Sequence, residues 1–173
     1  MSATQDILVT FKTKLGWMVV VGRAEQLRAL TFGHETAHAA RRSLDPRLAE
    51  GARAGTWNQA LVERLKAYAA GIPQDFRDVP LDPGYLTEFG RRVVACCREI
   101  PYGKTLSYGQ LAAKAGYPGA ARAVGNCMAA NRIALVIPCH RVVAAGGRVG
   151  NYSAAGGSQM KTRLLAMERE RSA

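Results

Sequence analysis

The residue types best suited to chemistry lie in one short run of this 173-residue chain, Ile137-Pro138-Cys139-His140-Arg141-Val142-Val143. A free thiol has a pKa of about 8.5, and a neighbouring cation or base raises the fraction present as thiolate at neutral pH. Cys139 has both neighbours, so the run could supply a nucleophilic sulfur. The competing reading is a buried structural cysteine, which is common for this residue type. Adjacent side chains on an extended strand point to opposite faces. His140 can therefore serve Cys139 only across a sharp turn or through a water. A histidine base also needs a group that fixes its tautomer, and Glu168 is a candidate.

The elements around this run follow from periodicity and punctuation. Ile133 to Ile137 is apolar and β-branched and predicts a buried strand that delivers Cys139. Upstream, Thr87 to Glu99 predicts a helix with Phe89, Val93 and Cys96 or Cys97 on one stripe, stopped at Ile100-Pro101-Tyr102-Gly103. Ser107 then caps a short helix, Tyr108 to Ala115, and a second runs from Ala120 to about Ala130. Two short helices across a Gly-containing turn predict a helix-turn-helix. Val149 to Tyr152 follows a Gly146-Gly147 turn, and Met160 to Glu170 predicts a closing amphipathic helix. In the first third, Ile7 to Lys12, Trp17 to Val21 and Gln26 to Phe32 read as three antiparallel strands. Glu35 to Leu44 and Trp57 to Ala70 read as helices, with Trp57 and Tyr102 as core residues. The Pro-rich stretch Gly71 to Pro83 predicts an extended connector. The expected class is α+β, with an N-terminal lobe over residues 1–80 and a mostly helical lobe over 81–173.

Charge narrows the partners. The 24 Lys and Arg against 13 Asp and Glu leave +11, a field that favours polyanions. Basic residues recur from Arg91 through Arg148, among the motifs above. The second short helix is rich in small residues, Ala120, Ala121, Ala123, Gly125, Ala129 and Ala130. Such a surface suits close approach in a minor groove only about 6 Å wide, without reading sequence; plain helix packing is the alternative. No apolar run reaches membrane-span length and residues 1–6 lack a signal-peptide layout. A soluble, cytoplasmic monomer is expected. Cys96, Cys97, Cys127 and Cys139 make no disulfide framework and fit a reducing compartment.

Taken together and in order, Pro138-Cys139-His140-Arg141-Val142-Val143, Ile100-Pro101-Tyr102-Gly103, Ser107-Tyr108, Arg122-Ala123-Val124-Gly125, Asn131 and Gly150-Asn151-Tyr152-Ser153 resemble the O6-alkylguanine-DNA alkyltransferase family. The resemblance is strong over Thr87 to Glu168; before Pro80 it rests on the strand-and-helix pattern alone. It implies a ribonuclease H-like first lobe and a winged-helix-like second lobe. It also implies irreversible, single-turnover transfer of an alkyl group from O6-alkylguanine, and from O4-alkylthymine, to Cys139. Cys139 would be activated through water by His140, which Glu168 orients, and Tyr108 would supply a proton as the base departs. Arg122 would fill the gap left by a flipped nucleotide, with Ala121, Ala123, Gly125 and Ser107 against the DNA. Asn131 would be a hinge and, with Met128, Val142, Gly150, Tyr152 and Ser153, would shape the pocket. No cofactor, metal or protein partner is implied; the partner is double-stranded DNA carrying alkylated guanine. Arg132 and Ala134 stand where the family often has proline.

Three other readings compete. A non-catalytic lesion binder of the same fold would lack the cysteine. A Cys-His hydrolase would turn over repeatedly, and a transcription regulator would select one operator. His34-Glu35-Thr36-Ala37-His38 also matches the H-E-x-x-H metalloprotease pattern; an ordinary surface helix start, with Glu35 favourable to its dipole, is the expected reading.

Overall fold

Local chemistry closes the first hairpin. Thr13 Oγ1 donates to Gly16 O (2.8 Å) and accepts from Leu15 N (3.0 Å). Gly16 adopts φ +94°, with His34 O 2.8 Å from where a Cβ would stand, so only glycine fits the turn. Strands β1 (Ile7–Thr13) and β2 (Gly16–Arg23) pair across it, and β3 (Gln26–His34) pairs with β2, both antiparallel. The computed structural model describes residues 5–172, and these divide into two units.

The first unit takes in residues up to Gln74, with Asp78–Asp82 and Arg132–Ala134. Helix α1 (Ala37–Arg42) is capped by Thr36, whose hydroxyl accepts from Ala39 N, and α2 (Pro46–Gly51) by Asp45. The two-residue β4 (Arg53–Ala54) joins β1 in parallel, giving the order β3-β2-β1-β4, and α3 (Gln59–Ala69) follows from Asn58. Residues 18–22 of β2 are buried on both faces, as a central strand requires. Leu8, Val19, Val21 and Ala29 from the sheet pack with Ala40 and Leu44. The three expected strands are present and a fourth, short one is added. Helix α2 went unread, although Asp45-Pro46 is a start signal, a cap followed by proline at the first turn. Trp57 is half-buried rather than core; its indole Nε1 donates to Ala24 O (2.6 Å).

The H-E-x-x-H match dissolves here. His34 ends β3, its Nε2 bonded to Thr31 Oγ1 (2.7 Å) and Ser43 Oγ (3.1 Å), and the helix starts only after Thr36. The two histidines therefore share no helical face, and Glu35 lies before the cap rather than in the first turn.

The second unit takes in Asp75–Arg77, Pro83–Asn131 and the chain from Leu135 onward. Helix α4 (Glu88–Arg98) is capped by Thr87 and buries Val93, Val94 and Cys97, so Cys97 rather than Cys96 completes its stripe. Then come β5 (Leu106–Ser107), α5 (Tyr108–Lys114) and α6 (Ala121–Ala129). The link between the helices passes through Gly116 and Gly119, both at positive φ. Strand β6 (Val142–Val143) pairs in parallel with β5, Leu106 opposite Val142 and Ser107 opposite Val143. Helix α7 (Gly157–Ser172) closes the chain. Among the described residues no helix is long and apolar enough to cross a membrane.

The expected strand over Ile133 to Ile137 is corrected. Ile133 bridges Leu30 within the first unit, Leu135 takes φ +67°, and the chain turns instead of running extended. All five residues are buried. Burial is what their apolar character demands, and packing on a turn satisfies that as well as a ladder does. Arg132, which stands where the family often has proline, lies 3.7 Å from Asp45.

The start of α5 is held by a capping box. Ser107 Oγ accepts from Gln110 N (3.0 Å), and Gln110 Oε1 accepts from Ser107 N (2.8 Å). Ser107→Ala should lower stability by about 1 kcal/mol, read as a lower midpoint in urea unfolding.

Candidate active site

A sharp turn, one of the two routes left open for the Cys-His pair, occurs here. Cys139–Arg141 form a single 3-10 turn, with Arg141 N donating to Pro138 O (2.9 Å). The turn sends consecutive side chains in different directions. Cys139 lines a cavity of about 780 Å³, whereas His140 is fully buried and lies outside that lining.

Glu168 of α7 is the residue on which the turn is anchored. Its Oε1 accepts from His140 Nε2 (2.7 Å) and Arg141 Nη2 (3.0 Å). Its Oε2 accepts from Arg141 Nε (2.9 Å) and from Gly103 N (3.1 Å). Arg141 Nη1 also donates to Ile100 O (2.7 Å). The Ile100-Pro101-Tyr102-Gly103 motif thereby gains a physical meaning, because its two end residues bond the Glu168–Arg141 pair. Gly103 has φ +77°, and a Cβ there would run into the Ser172 side chain. Tyr102 is half-buried, its ring 5.7 Å from the Arg141 guanidinium. Burial by itself would raise the Glu168 pKa, but the bonds from His140 and Arg141 outweigh it and hold the carboxyl well below the usual carboxylate range. An ionised Glu168 accepts the Nε2 hydrogen, which leaves the ring lone pair on Nδ1. Burial keeps His140 below its ordinary value, against the opposing pull of Glu168.

The thiol is less acidic than its neighbours in sequence imply. Cys139 is 4% exposed, and burial pushes its pKa up. The Asn131 amide, which donates to Sγ (3.1 Å), and the charge of Lys161 offset only part of this. Burial therefore favours the protonated thiol over the thiolate.

Lys161 was not anticipated. It is 1% exposed, its Nζ donating to Tyr108 Oη (3.3 Å) and Asn151 O (3.2 Å) and lying 5.5 Å from the Tyr108 ring centroid. Burial lowers its pKa, and Cys139 opposes that. One signal was available: Lys161, Leu164 and Glu168 are spaced three and four apart, on one helical stripe. Tyr108 opens α5 at the cavity wall, its pKa raised by burial.

Most of the expected residues gather around the cavity. Ser107, Tyr108, Ala121, Arg122, Gly125 and Met128 line it with Cys139, as do Gly150, Tyr152 and Ser153. Three do not. Val142 is fully buried in β6, paired with Leu106. Asn131 bonds Sγ and Ile137 O (3.1 Å) from outside the lining. Ala123 faces a separate hollow of about 360 Å³. Gly109, Asn126, Ala129, Ala144, Ala145 and Asn151 complete the lining. Among the described residues no group of three or more His, Cys, Asp or Glu is placed to hold a metal.

The family model described as the 6-O-methylguanine DNA methyltransferase DNA binding domain matches residues 88–170. A curated relative from Mycolicibacterium paratuberculosis, described as a methylated-DNA–protein-cysteine methyltransferase, is 41% identical, with 94% of this chain and 92% of the relative covered. The chain belongs to this family. Among solved structures, the Mycobacterium tuberculosis O6-methylguanine methyltransferase superposes with a TM-score of 0.81 at 34% identity, covering 98% of this chain and 96% of that one. A structure of the M. tuberculosis protein in complex with DNA matches at TM-score 0.75 and 36% identity, with 95% and 94% covered. Membership accounts for the mixed α/β character and the small antiparallel sheet.

The buried carboxylate makes stability fall with acid. Glu168 stays ionised in the folded chain below its ordinary value of 4.5, so the unfolded chain takes up that proton first. That contribution is complete above the ordinary value and lost as pH falls through and below it. His140, held neutral below its ordinary 6.5, acts in the same direction from a higher pH. Glu168→Gln should lose about 3 kcal/mol at neutral pH. Its urea midpoint should also move less than that of the natural chain between about pH 5 and pH 3.

Proposed function

We propose that this protein repairs DNA by moving an alkyl group from O6 of guanine onto Cys139, once per molecule. The observation that carries this reading is a buried thiol on a cavity wall, with a carboxylate-bound histidine next to it in the same turn. Such a sulfur is protected until a substrate fills the cavity, and the machinery to deprotonate it is built in.

The steps follow from the groups present. A water relays the Cys139 proton to Nδ1 of neutral His140, and the imidazolium so formed is stabilised by Glu168. The thiolate attacks the alkyl carbon, the carbon–oxygen bond breaks, and its electron pair leaves with the guanine. Tyr108 donates its O–H hydrogen to the departing base; Lys161 already donates to the phenol oxygen, which leaves that hydrogen to point elsewhere and stabilises the phenolate formed. Asn131 and Lys161 stabilise the transient sulfur anion. The product is a thioether with no ionisable sulfur, so no second cycle follows. O4-alkylthymine, which presents the same alkyl–oxygen bond, is a second substrate.

Reaction at a base inside a duplex requires extruding it, at a cost of a few kcal/mol. In this reading α6 lies in the minor groove. Arg122, exposed at its first turn, occupies the space the nucleotide leaves, while Ala121, Ala123, Gly125 and the start of α5 at Ser107 pack against the strand. Met128, Gly150, Tyr152 and Ser153 enclose the base. Every group used in this reaction belongs to one unit of one chain, so a monomer suffices for it; the proposed compartment is the cytoplasm, and no cofactor enters the proposed steps.

Incubation with a duplex containing O6-methylguanine should add one methyl to Cys139 by intact mass, and Cys139→Ala should gain none. An unmodified thiol after prolonged incubation of folded protein with excess lesion would overturn the reading. Arg122→Ala should slow transfer from duplex at least about tenfold more than transfer from a free alkylated guanine base. Equal losses on the two substrates would remove Arg122 from extrusion.

A further inference from the structure

The exposed face of α6 has an unusual composition at its centre. Arg122, Ala123, Asn126, Ala129 and Ala130 are exposed, while Val124 and Met128 are buried. Asn126 stands four residues after Arg122, hence one turn along the same face. It lines the cavity that holds Cys139 and also the neighbouring hollow, so it sits on the ridge between them. Its neighbours on that ridge are alanines and an arginine, so between Arg122 and the end of the helix the carboxamide is the one side-chain hydrogen-bonding group on the exposed face. No described residue hydrogen-bonds that carboxamide.

We infer that Asn126 reads the minor-groove edge of a base pair beside the extruded nucleotide and makes alkyl transfer depend on that pair. The inference rests on the assignment of α6 to the minor groove made above. A carboxamide flanked by methyl groups projects furthest from such a helix and meets the base edges first. Minor-groove edges differ in one respect: A·T pairs offer only acceptors, whereas G·C adds the guanine 2-amino donor. A carboxamide can donate through Nδ2 to guanine N3 while accepting through Oδ1 from the 2-amino group. Against A·T it makes the first of these bonds alone. The helix therefore holds lesions beside G·C better than lesions beside a pair lacking that amino group. Most of its face ignores sequence, and Asn126 adds a bias at one position.

The test replaces the flanking guanine by inosine, which removes the 2-amino group and leaves the major groove unchanged. Single-turnover transfer rates are measured for the natural chain and for Asn126→Ala on O6-methylguanine duplexes with a flanking G·C or I·C pair. The G·C to I·C rate ratio should be about three- to tenfold larger in the natural chain than in the variant. Comparing ratios cancels any general loss of activity, and any effect of inosine on base-pair strength. An equal ratio in the two proteins would overturn the inference. Transfer from a free alkylated guanine base to Cys139 is measured in parallel. If the natural chain transfers from neither free base nor duplex, the repair reading itself has failed, whereas transfer with equal ratios removes only the role of Asn126. An exposed helical asparagine changed to alanine gains helix propensity, so the variant should fold.

Discussion

A single carboxylate, nearly sealed from solvent, imposes order on the catalytic half of this molecule. Glu168 accepts hydrogen bonds from His140, from two nitrogens of Arg141 and from the Gly103 amide. A buried charge with unmet lone pairs would cost several kcal/mol. Here the planar fork of Arg141 meets both oxygens, a geometry that lysine could not reproduce. The same bonds fasten α7, the turn carrying the thiol and the loop after α4 to one another. Orientation of the imidazole is thus a by-product of satisfying a charge.

The thiol presents a conflict that this arrangement resolves. Burial protects Cys139 and shapes the cavity around it, but burial also disfavours the thiolate. The fold does not answer with a permanently acidic cysteine. It favours the protonated sulfur and places around it a buried histidine in the same turn, one donor from Asn131 and the buried amine of Lys161. Buried Lys161 completes the balance, since its charge favours the thiolate against burial and it donates to the phenol oxygen of Tyr108.

Much of the site was legible because its signals are local. Ser107 followed by Gln110 is a capping box that starts α5, and Gly116 and Gly119 mark the turn before α6. Alternating and β-branched runs foretold β1, β2 and β3, and the small-residue face of α6 could be read directly. The misreadings also have physical causes. Ile133 to Ile137 looked like a strand because an apolar, β-branched run signals burial, and burial is compatible with a turn at Leu135. The family resemblance implied Val142 as a pocket residue, yet it pairs with Leu106 of β5 and is fully buried. Lys161 was missed because a lysine on an amphipathic helix ordinarily reaches solvent.

The amino-acid sequence alone determined which groups are available, the order in which they come and the short-range signals that begin and end each element. Those depend on interactions reaching only a few residues. Tertiary structure raised the pKa of the thiol, brought the candidate Glu168 to His140 and buried Lys161. Glu168 is 28 residues from His140 and 65 from Gly103, and no local rule joins such positions. Desolvation, which sets the direction for Cys139 and His140, and the bonds that override it at Glu168 exist only once the chain has closed around them.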